Sequence, residues 1–473
     1  MNFSRLVLLI LLLSIEGHAQ QAASYLEKIR GNTALLTAFF SQMPKGGDLH
    51  HHYSGSVYAE TFLEYVIDKD LFVNKATLEI SDKKSPQGEW STFSDLKKEG
   101  TLTKYKQRLL QKWSVKDYNG VDNASDNQFF ETFPAFGLTA KATLEKGLLE
   151  IRDRAKKENV SYIETIFASI PCESSVADLQ RFNNRLRNVQ EKRDAQAAIK
   201  LLDTLYQAML SRNIRECAVQ FNTGTLDRLH RTLSIDDSRF TMRYQNYVSR
   251  HAEPVDLFKN LITAFESANA DTLIVGVNIV AREDHEISMK DYWLHMVMFR
   301  FCHTKYPAVK YALHAGELTL GVVKPEDLTW HINTAVQIAG ANRIGHGVDI
   351  AYEERCYELL DFMRVNKIAI EINLYSNEFI LKVKEEKHPI TLYREFKVPI
   401  VICTDDAGVL RSNLTDQYVL LANRYKDVTY ADIKQYVYNS ITYSFIENEG
   451  LKAKLIRNLD ARFAAFEALF VRK

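Results

Sequence analysis

Short apolar or β-branched runs recur along the chain, and between them lie longer stretches whose apolar residues return every three to four positions. The runs fall at 47–53, 160–168, 216–221, 273–280, 309–314, 343–346, 368–373 and 400–404. Each has the length of a strand buried on both faces, about four to eight residues. Residues 141–158, 182–212, 289–303, 328–339 and 353–365 carry helical periodicity instead. Strands alternating with helices predict an α/β fold with a parallel sheet. Eight such units fit a closed (β/α)8 TIM barrel better than an open doubly wound sheet, which is the alternative. Two connections exceed a simple strand–helix–strand step. About a hundred residues separate the first two strands, and 223–254 lengthens the connection before the fourth. The pattern thus predicts a barrel with insertions after strand 1 and before strand 4. The first insertion, taken as 60–135, is charged through 82–106 and then aromatic, with Trp113 and FFETFPAF at Phe129–Phe136. Hanging from the end of strand 1, it forms either a lid or pocket wall, or a small core of its own.

The N-terminus breaks this pattern. In MNFSRLVLLILLLSIEGHAQ, Arg5 precedes an apolar run from Leu6 to Leu13, and Gly17 and Ala19 offer small residues at the −3 and −1 positions of a cut. This is the layout of a secretory signal over 1–19, too short to span a bilayer, with an uncleaved anchor as the alternative. No later stretch approaches a membrane span, so the mature chain is expected to be soluble and exported, to a periplasm or outside the cell. A helix is expected within 20–43 and the barrel over 44–473. Hydrophobic residues make up 46% and charged residues 25%, an ordinary globular composition. Lys+Arg and Asp+Glu each total 60, so no bulk field points to nucleic acid, an anionic membrane or a polyanionic substrate. Cys172, Cys217, Cys302, Cys356 and Cys403 are far apart and form no CxxC pair. Buried free thiols are expected, with at most one or two disulfides.

Barrel chemistry concentrates where strands end. The first run ends in His50-His51-His52, the fifth in HAGE (His314 to Glu317), the sixth in RIGHG around His346, and the eighth in CTDDAG with Asp405 and Asp406. Side chains alternate along a strand, so His50 and His52 share one face and His51 takes the other. With His314 and Asp405 they make an N,N,N,O set suited to a borderline divalent ion, zinc first, with a position open for water. His18, His51, His230 and His251 read as hydrogen-bonded or surface residues. The deaminase fold built on H-x-E before P-C-x-x-C is excluded, because His251-Ala252-Glu253 follows Pro171-Cys172 and no second cysteine stands at 175.

PKGGDLHHH with a following Gly55, HAGE, RIGHG and TDD after an apolar strand resemble the motif series of the adenosine deaminase family, in the same order, from about Pro44 to Tyr418. The MPKGG lead-in and the export signal are closest to its secreted, growth-factor-related branch. The resemblance implies one zinc per chain, held by His50, His52, His314 and Asp405, which lowers the pKa of the attacking water. It implies that Glu317 protonates purine N1 as water attacks C6, that His346 orients that water, and that Asp406 hydrogen-bonds N7. Ala281, in VGVNIVARED, would offer its main-chain N–H to N3, at a position where relatives commonly have glycine. Glu371, in EINLYSN, would stand behind His346. Ser54 falls where familiar members place an acid that meets the ribose 5′-hydroxyl, and Ala407 where they place proline. The implied reaction is hydrolytic deamination of adenosine or 2′-deoxyadenosine to inosine or 2′-deoxyinosine plus ammonia. The alternatives are a deaminase of another aminopurine (adenine or a modified adenosine) and a non-catalytic secreted binding protein. The implied partner is a small purine nucleoside, with no nucleic acid and no membrane after signal cleavage. The branch dimerises through a sizeable N-terminal segment; only one helix's worth of chain, 22–42, is present for a homodimer of that kind.

Overall fold

A computed structural model describes residues 17–121 and 123–470. The apolar part of the expected secretory signal lies outside the described residues. Eight parallel strands form one sheet in chain order: β1 (Gly46–His52), β2 (Val160–Ala168), β3 (Thr241–Ser249), β4 (Ile274–Val280), β5 (Lys310–Ala315), β6 (Arg343–His346), β7 (Ala369–Ile372) and β8 (Ile400–Ile402). The main chain just past β8 closes the ring. Asp405 N–H donates to the His50 carbonyl at 2.8 Å, and His52 N–H donates to the Asp405 carbonyl at 3.1 Å. The architecture is the (β/α)8 barrel, in which closure leaves the eight-stranded sheet without a free edge among the described residues.

Seven of the eight expected runs are strands. The run at 216–221 is not: it belongs to a helix, Ile214–Phe221, with Ile214, Ala218 and Phe221 buried at helical spacing. The third strand is Thr241–Ser249, whose sequence TMRYQNYVS hides it from a hydrophobicity reading. Gln245 and Asn246 are fully buried in it because each finds a partner. Gln245 Nε2 donates to Glu164 Oε2 at 3.2 Å, and Asn246 Nδ2 to Ser267 Oγ at 2.9 Å. In consequence the second long connection precedes the third strand, not the fourth. It carries a disulfide between Cys172 and Cys217, with Cα atoms 5.4 Å apart. Cys302, Cys356 and Cys403 are free.

The single helix expected over 22–42 is two helices. Helical residues 17–29 are followed by a turn, and Asn32 then accepts the Leu35 N–H to cap Thr33–Gln42. Both dock on the barrel's outer layer. Arg30 donates to the carbonyls of Ala422 (2.8 Å) and Val428 (2.5 Å), and Phe39 meets Phe466 edge-on at 5.0 Å.

After β1 the insertion builds three short antiparallel strands and several helices, ending in Ser125–Ala142, which runs past the expected bound at 135. This last helix lies across the mouth formed by the strands' C-terminal ends. Phe62 and Phe136 stack at 5.1 Å inside the insertion, while Phe129, Phe130 and Phe133 turn toward the barrel mouth. Its aromatics therefore serve both an internal core and a cavity wall. Among the described residues no helix is long and apolar enough to cross a membrane.

Candidate active site

Strand alternation sorts the triple histidine. His51 leaves the barrel axis and places Nδ1 3.1 Å from Thr165 Oγ1, while His50 and His52 point inward. His52 Nε2 lies 3.1 Å from His314 Nε2. Asp405 Oδ1 lies 3.4 Å from His50 Nε2 and 3.3 Å from His52 Nε2. His346 joins them: ligating atoms of His50, His314, His346 and Asp405 all fall within 4.8 Å of one another.

The donor set fits a divalent cation. Glu371 Oε2 accepts from His50 Nδ1 at 2.8 Å and Asn278 Oδ1 from His314 Nδ1 at 2.9 Å, which puts the hydrogen of each ring on Nδ1. Both Nε2 lone pairs then face the cluster, and His50 Nε2 is buried with no hydrogen-bond partner. Converging imidazole lone pairs beside a carboxylate are left unsatisfied by the protein itself and suit an ion that takes nitrogen and oxygen ligands.

Glu371 supports His50, not His346. Its other oxygen accepts from Arg343 Nε at 2.5 Å, and Arg343 Nη2 continues to Glu164 Oε2 at 2.6 Å. The guanidinium also lies 3.6 Å above the Phe445 ring. Burial alone would push the Glu371 carboxyl up, but Arg343 and His50 outweigh it and hold it below the ordinary carboxylate value. His346 has a different support. Ile390 N–H donates to His388 Nδ1 (3.2 Å), His388 Nε2 to Asn377 Oδ1 (3.0 Å), and Asn377 Nδ2 to His346 Nδ1 (3.0 Å). That chain places the His346 hydrogen on Nε2.

Glu317 extends from the loop after β5, held by a residue that the strand-end reading passed over. Glu283 accepts the N–H groups of Gly316 (3.1 Å) and Glu317 (2.8 Å) and meets His331 Nδ1 at 2.6 Å. Arg250, fully buried, spans from Glu283 to the His314 carbonyl. The signal for Glu283 was in the sequence: β4 runs into ARED, an acid at a strand end. Asn278, Asn377 and His388 had no such signal, because each acts through a partner far away in the chain.

Close backbone approach decides two glycines. A Cβ at Gly55 would stand 1.6 Å from Asp406 Oδ1, and one at Gly345 would stand 2.6 Å from His50 Cε1. Three site residues occupy the left-handed region that non-glycine residues avoid: Ala281 (φ 86), His346 (φ 68) and Asp405 (φ 62). Such strain, about 1–3 kcal/mol per residue, collects where geometry serves chemistry.

Burial, then the Asp405 charge, raises both the Glu317 and Asp406 carboxyls well above the ordinary range and so favours their protonated forms. Asp405 itself goes the other way: burial opposes ionisation, but the imidazoles of His50, His346 and His52 around it hold its carboxyl well below the ordinary range. Burial pushes His346 down to about 3 and leaves it neutral.

These groups face one cavity of about 400 Å³, with Ser54, Ala281, Tyr247 and Ser249 on its barrel side and Phe129, Phe130 and Phe133 opposite. Arg282 pins the aromatic wall. It donates to Asp126 Oδ2 (2.7 Å) and Asn127 Oδ1 (2.9 Å) of the insertion helix and sits 4.9 Å over the Phe130 ring.

A parallel (β/α)8 barrel with a His/His/His/Asp donor set and largely buried acids at its C-terminal mouth defines the class of metal-dependent hydrolases. The chain belongs to the adenosine deaminase family, hydrolases acting on carbon–nitrogen bonds: the family profile described as "Adenosine deaminase" matches residues 209–462, more than half of it. That match begins after β2, so His50 and His52 are joined to the family site by the fold. The adenosine deaminase of Clostridium kluyveri is 27% identical over 322 residues, covering 64% of this chain and 86% of that one. The apo N6-methyl-AMP deaminase of Arabidopsis thaliana shares the fold with a TM-score of 0.56 at 17% identity, covering 90% of this chain and 98% of that one. An amidohydrolase of Burkholderia ambifaria solved with bound Zn has a TM-score of 0.55 at 16% identity, covering 92% and 95%.

Proposed function

We propose that the protein is a zinc-dependent deaminase of adenosine and 2′-deoxyadenosine, yielding inosine or 2′-deoxyinosine and ammonia. The observation that carries this reading is that two largely buried carboxyls, Glu317 and Asp406, face the same cavity as the donor set, and burial favours the protonated form of each. Purine N1 and N7 are both acceptors, so a site that reads them needs donors at both, with C6 between. Glu317 donates to N1 and Asp406 to N7; the Ala281 N–H meets N3. One zinc per chain, held by His50, His52, His314 and Asp405, supplies Lewis acidity and a lowered pKa for the attacking water. His346, carrying its hydrogen on Nε2, orients that water. As water adds to C6, the Glu317 proton passes to N1. The carboxylate so formed takes one proton from the added water and passes it to the amine. As the C6–N bond breaks and C6=O forms, ammonia is released and the remaining hydroxyl proton returns to Glu317, which restores its acid form.

Charge at the mouth favours a nucleoside over a nucleotide. Arg282 is the one permanent cation among the described residues lining the cavity, and Asp126 and Asp284 already neutralise it. A 5′-phosphate would meet no free cation there, whereas the Ser54 hydroxyl can hydrogen-bond a sugar. Export is proposed as well, with the Cys172–Cys217 disulfide as support, since such bridges persist in oxidising compartments.

Purified protein offered adenosine, 2′-deoxyadenosine, adenine and AMP in parallel, with zinc quantified in the same sample, tests the reading. The expected result is the absorbance change of inosine formation, lost on chelation. Consumption of adenine but not adenosine transfers the proposal to the base. No reaction with any aminopurine and no zinc overturns it in favour of a binding protein. Glu317→Gln is expected to keep zinc and abolish turnover, and N-terminal sequencing of protein recovered outside the cytoplasm is expected to begin at Gln20.

A further inference from the structure

A second, larger concavity lies at the opposite end of the barrel. It measures about 620 Å³, against about 400 Å³ for the catalytic cavity. Lys310 opens β5, the strand whose His314 faces the metal cluster, so the two ends stand roughly 13 Å apart at the rise of a strand. Arg300, Lys310, Lys367 and Lys452 line this groove, and no Asp or Glu does.

The chain as a whole has equal numbers of cations and anions, so this clustering does not reflect a basic protein. Some cations elsewhere are met by acids, as in Arg212–Asp178 and Lys434–Glu467. Among the described residues Arg300, Lys310 and Lys367 make no ion pair and no side-chain hydrogen bond, and Lys452 donates only to the carbonyls of Thr442 (3.4 Å) and Ser444 (3.2 Å). Four like charges around one concavity repel one another, a cost that an anion seated among them removes. Gly340 adopts φ +78, and a Cβ there would lie 3.3 Å from Arg300 Nη1, crowding the guanidinium at the groove's rim.

We infer that this groove binds a small, multiply charged phosphate: inorganic pyrophosphate or the diphosphate of a nucleotide. Its volume is that of a small-molecule site. Its four cations match an anion of three to four negative charges, which a single phosphate does not carry. The inference does not rest on the deaminase reading, since it uses none of the catalytic residues.

Calorimetric titration of the zinc-loaded protein with inorganic pyrophosphate, and separately with uridine 5′-diphosphate, tests it. Zinc is measured before and after, so that extraction of the metal is not scored as binding. Saturable binding is expected, weakening as salt rises. It is expected to fall at least tenfold in Arg300→Gln/Lys310→Gln and in Lys367→Gln, with adenosine turnover unchanged and with Lys157→Gln, an exposed lysine elsewhere, binding like wild type. Equal affinity for the two ligands assigns recognition to the phosphates alone, and tighter uridine diphosphate adds a seated nucleoside; either supports the site. Absence of saturable binding, or binding that the groove variants leave intact, overturns it.

Discussion

Glu371 and Gly55 stand behind different parts of the same centre, and their substitutions are expected to separate metal binding from substrate reading. Glu371→Gln keeps the shape but removes the charge that accepts His50 Nδ1–H and pairs with Arg343. Zinc affinity is expected to fall about 10–100-fold, the usual cost of losing a ligand's hydrogen-bond partner, read by competition with a chromophoric chelator. Unchanged affinity would remove Glu371 from that role. Gly55→Ala places a methyl where Asp406 Oδ1 now lies, so the acid has to move. Turnover of adenosine is expected to drop about 100-fold with zinc still at full occupancy, because misplacing a reactive group by an ångström costs about that much. Zinc loss in Gly55→Ala would refute the separation. The residues that converge on the cavity were legible because HxH, HAGE, RIGHG and TDD are contiguous signatures at strand ends. What supports them was not. His388 and Asn377 fix the His346 hydrogen through a relay that only the folded chain assembles, and Glu371 was assigned to His346 because the sequence cannot say which imidazole a neighbouring strand presents.

At the scale of elements, the insertion helix Ser125–Ala142 is tied across the mouth by Arg282 and by Lys382, which donates to the Ser125 hydroxyl and sits 5.8 Å from the Tyr118 ring of the insertion. Hydrogen bonds to charged groups contribute about 1.5–3 kcal/mol each. Arg282→Met removes those to Asp126 and Asn127 while keeping apolar contact with Phe130. The KM for adenosine is expected to rise about tenfold, and amide exchange across 125–142 to accelerate, with zinc content unchanged. Exchange as slow as wild type would show that the helix is held by its aromatic core alone. Strands β5 and β8 were legible as elements from their short apolar runs, and β1 from the histidine motif that ends it. Strand β3 was not, since the barrel interior can bury Gln245 once Glu164 meets it and the helix layer can bury Asn246 once Ser267 meets it, and a hydrophobicity pattern sees only polar residues there. The reverse error at 216–221 has the same root. Six residues with apolar members at mixed spacing fit a strand or one face of a helix, and the packing of Ile214, Ala218 and Phe221 decides for the helix.

For the molecule as a whole, folding carries buried titratable groups whose pH signatures oppose one another. The Glu353 carboxyl accepts from the Ile332 and Asn333 N–H groups and from Asn333 Nδ2 at 2.8 Å, yet burial pushes it up from 4.5 to about 7, with Glu283 adding to the rise. Between about 4.5 and 7 the folded chain retains a proton that the unfolded chain has released, so stability from this group is complete below 4.5 and is lost as pH rises through 7. The loss is at most about 3 kcal/mol, from the size of the shift and about 1.4 kcal/mol per pH unit. Lys45 runs the other way. Its ammonium donates to the Met43 (3.1 Å) and Glu158 (2.6 Å) carbonyls, but burial brings it down from 10.5 to about 7. Above pH 7 the unfolded chain binds the proton that the folded chain has shed, and stability from this group rises with pH up to 10.5. Metal binding adds its own pH dependence to every variant, so the informative quantity is the difference from wild type. Denaturant unfolding of wild type, Glu353→Gln and Lys45→Met from pH 4.5 to 9 is expected to give two difference curves. The Glu353→Gln protein gains on wild type between pH 4.5 and 7 and then runs parallel. The Lys45→Met protein runs parallel below 7 and loses ground above it. Two flat curves would mean that both groups titrate alike in the folded and unfolded chains, and that the barrel relieves their burial through water or backbone adjustment.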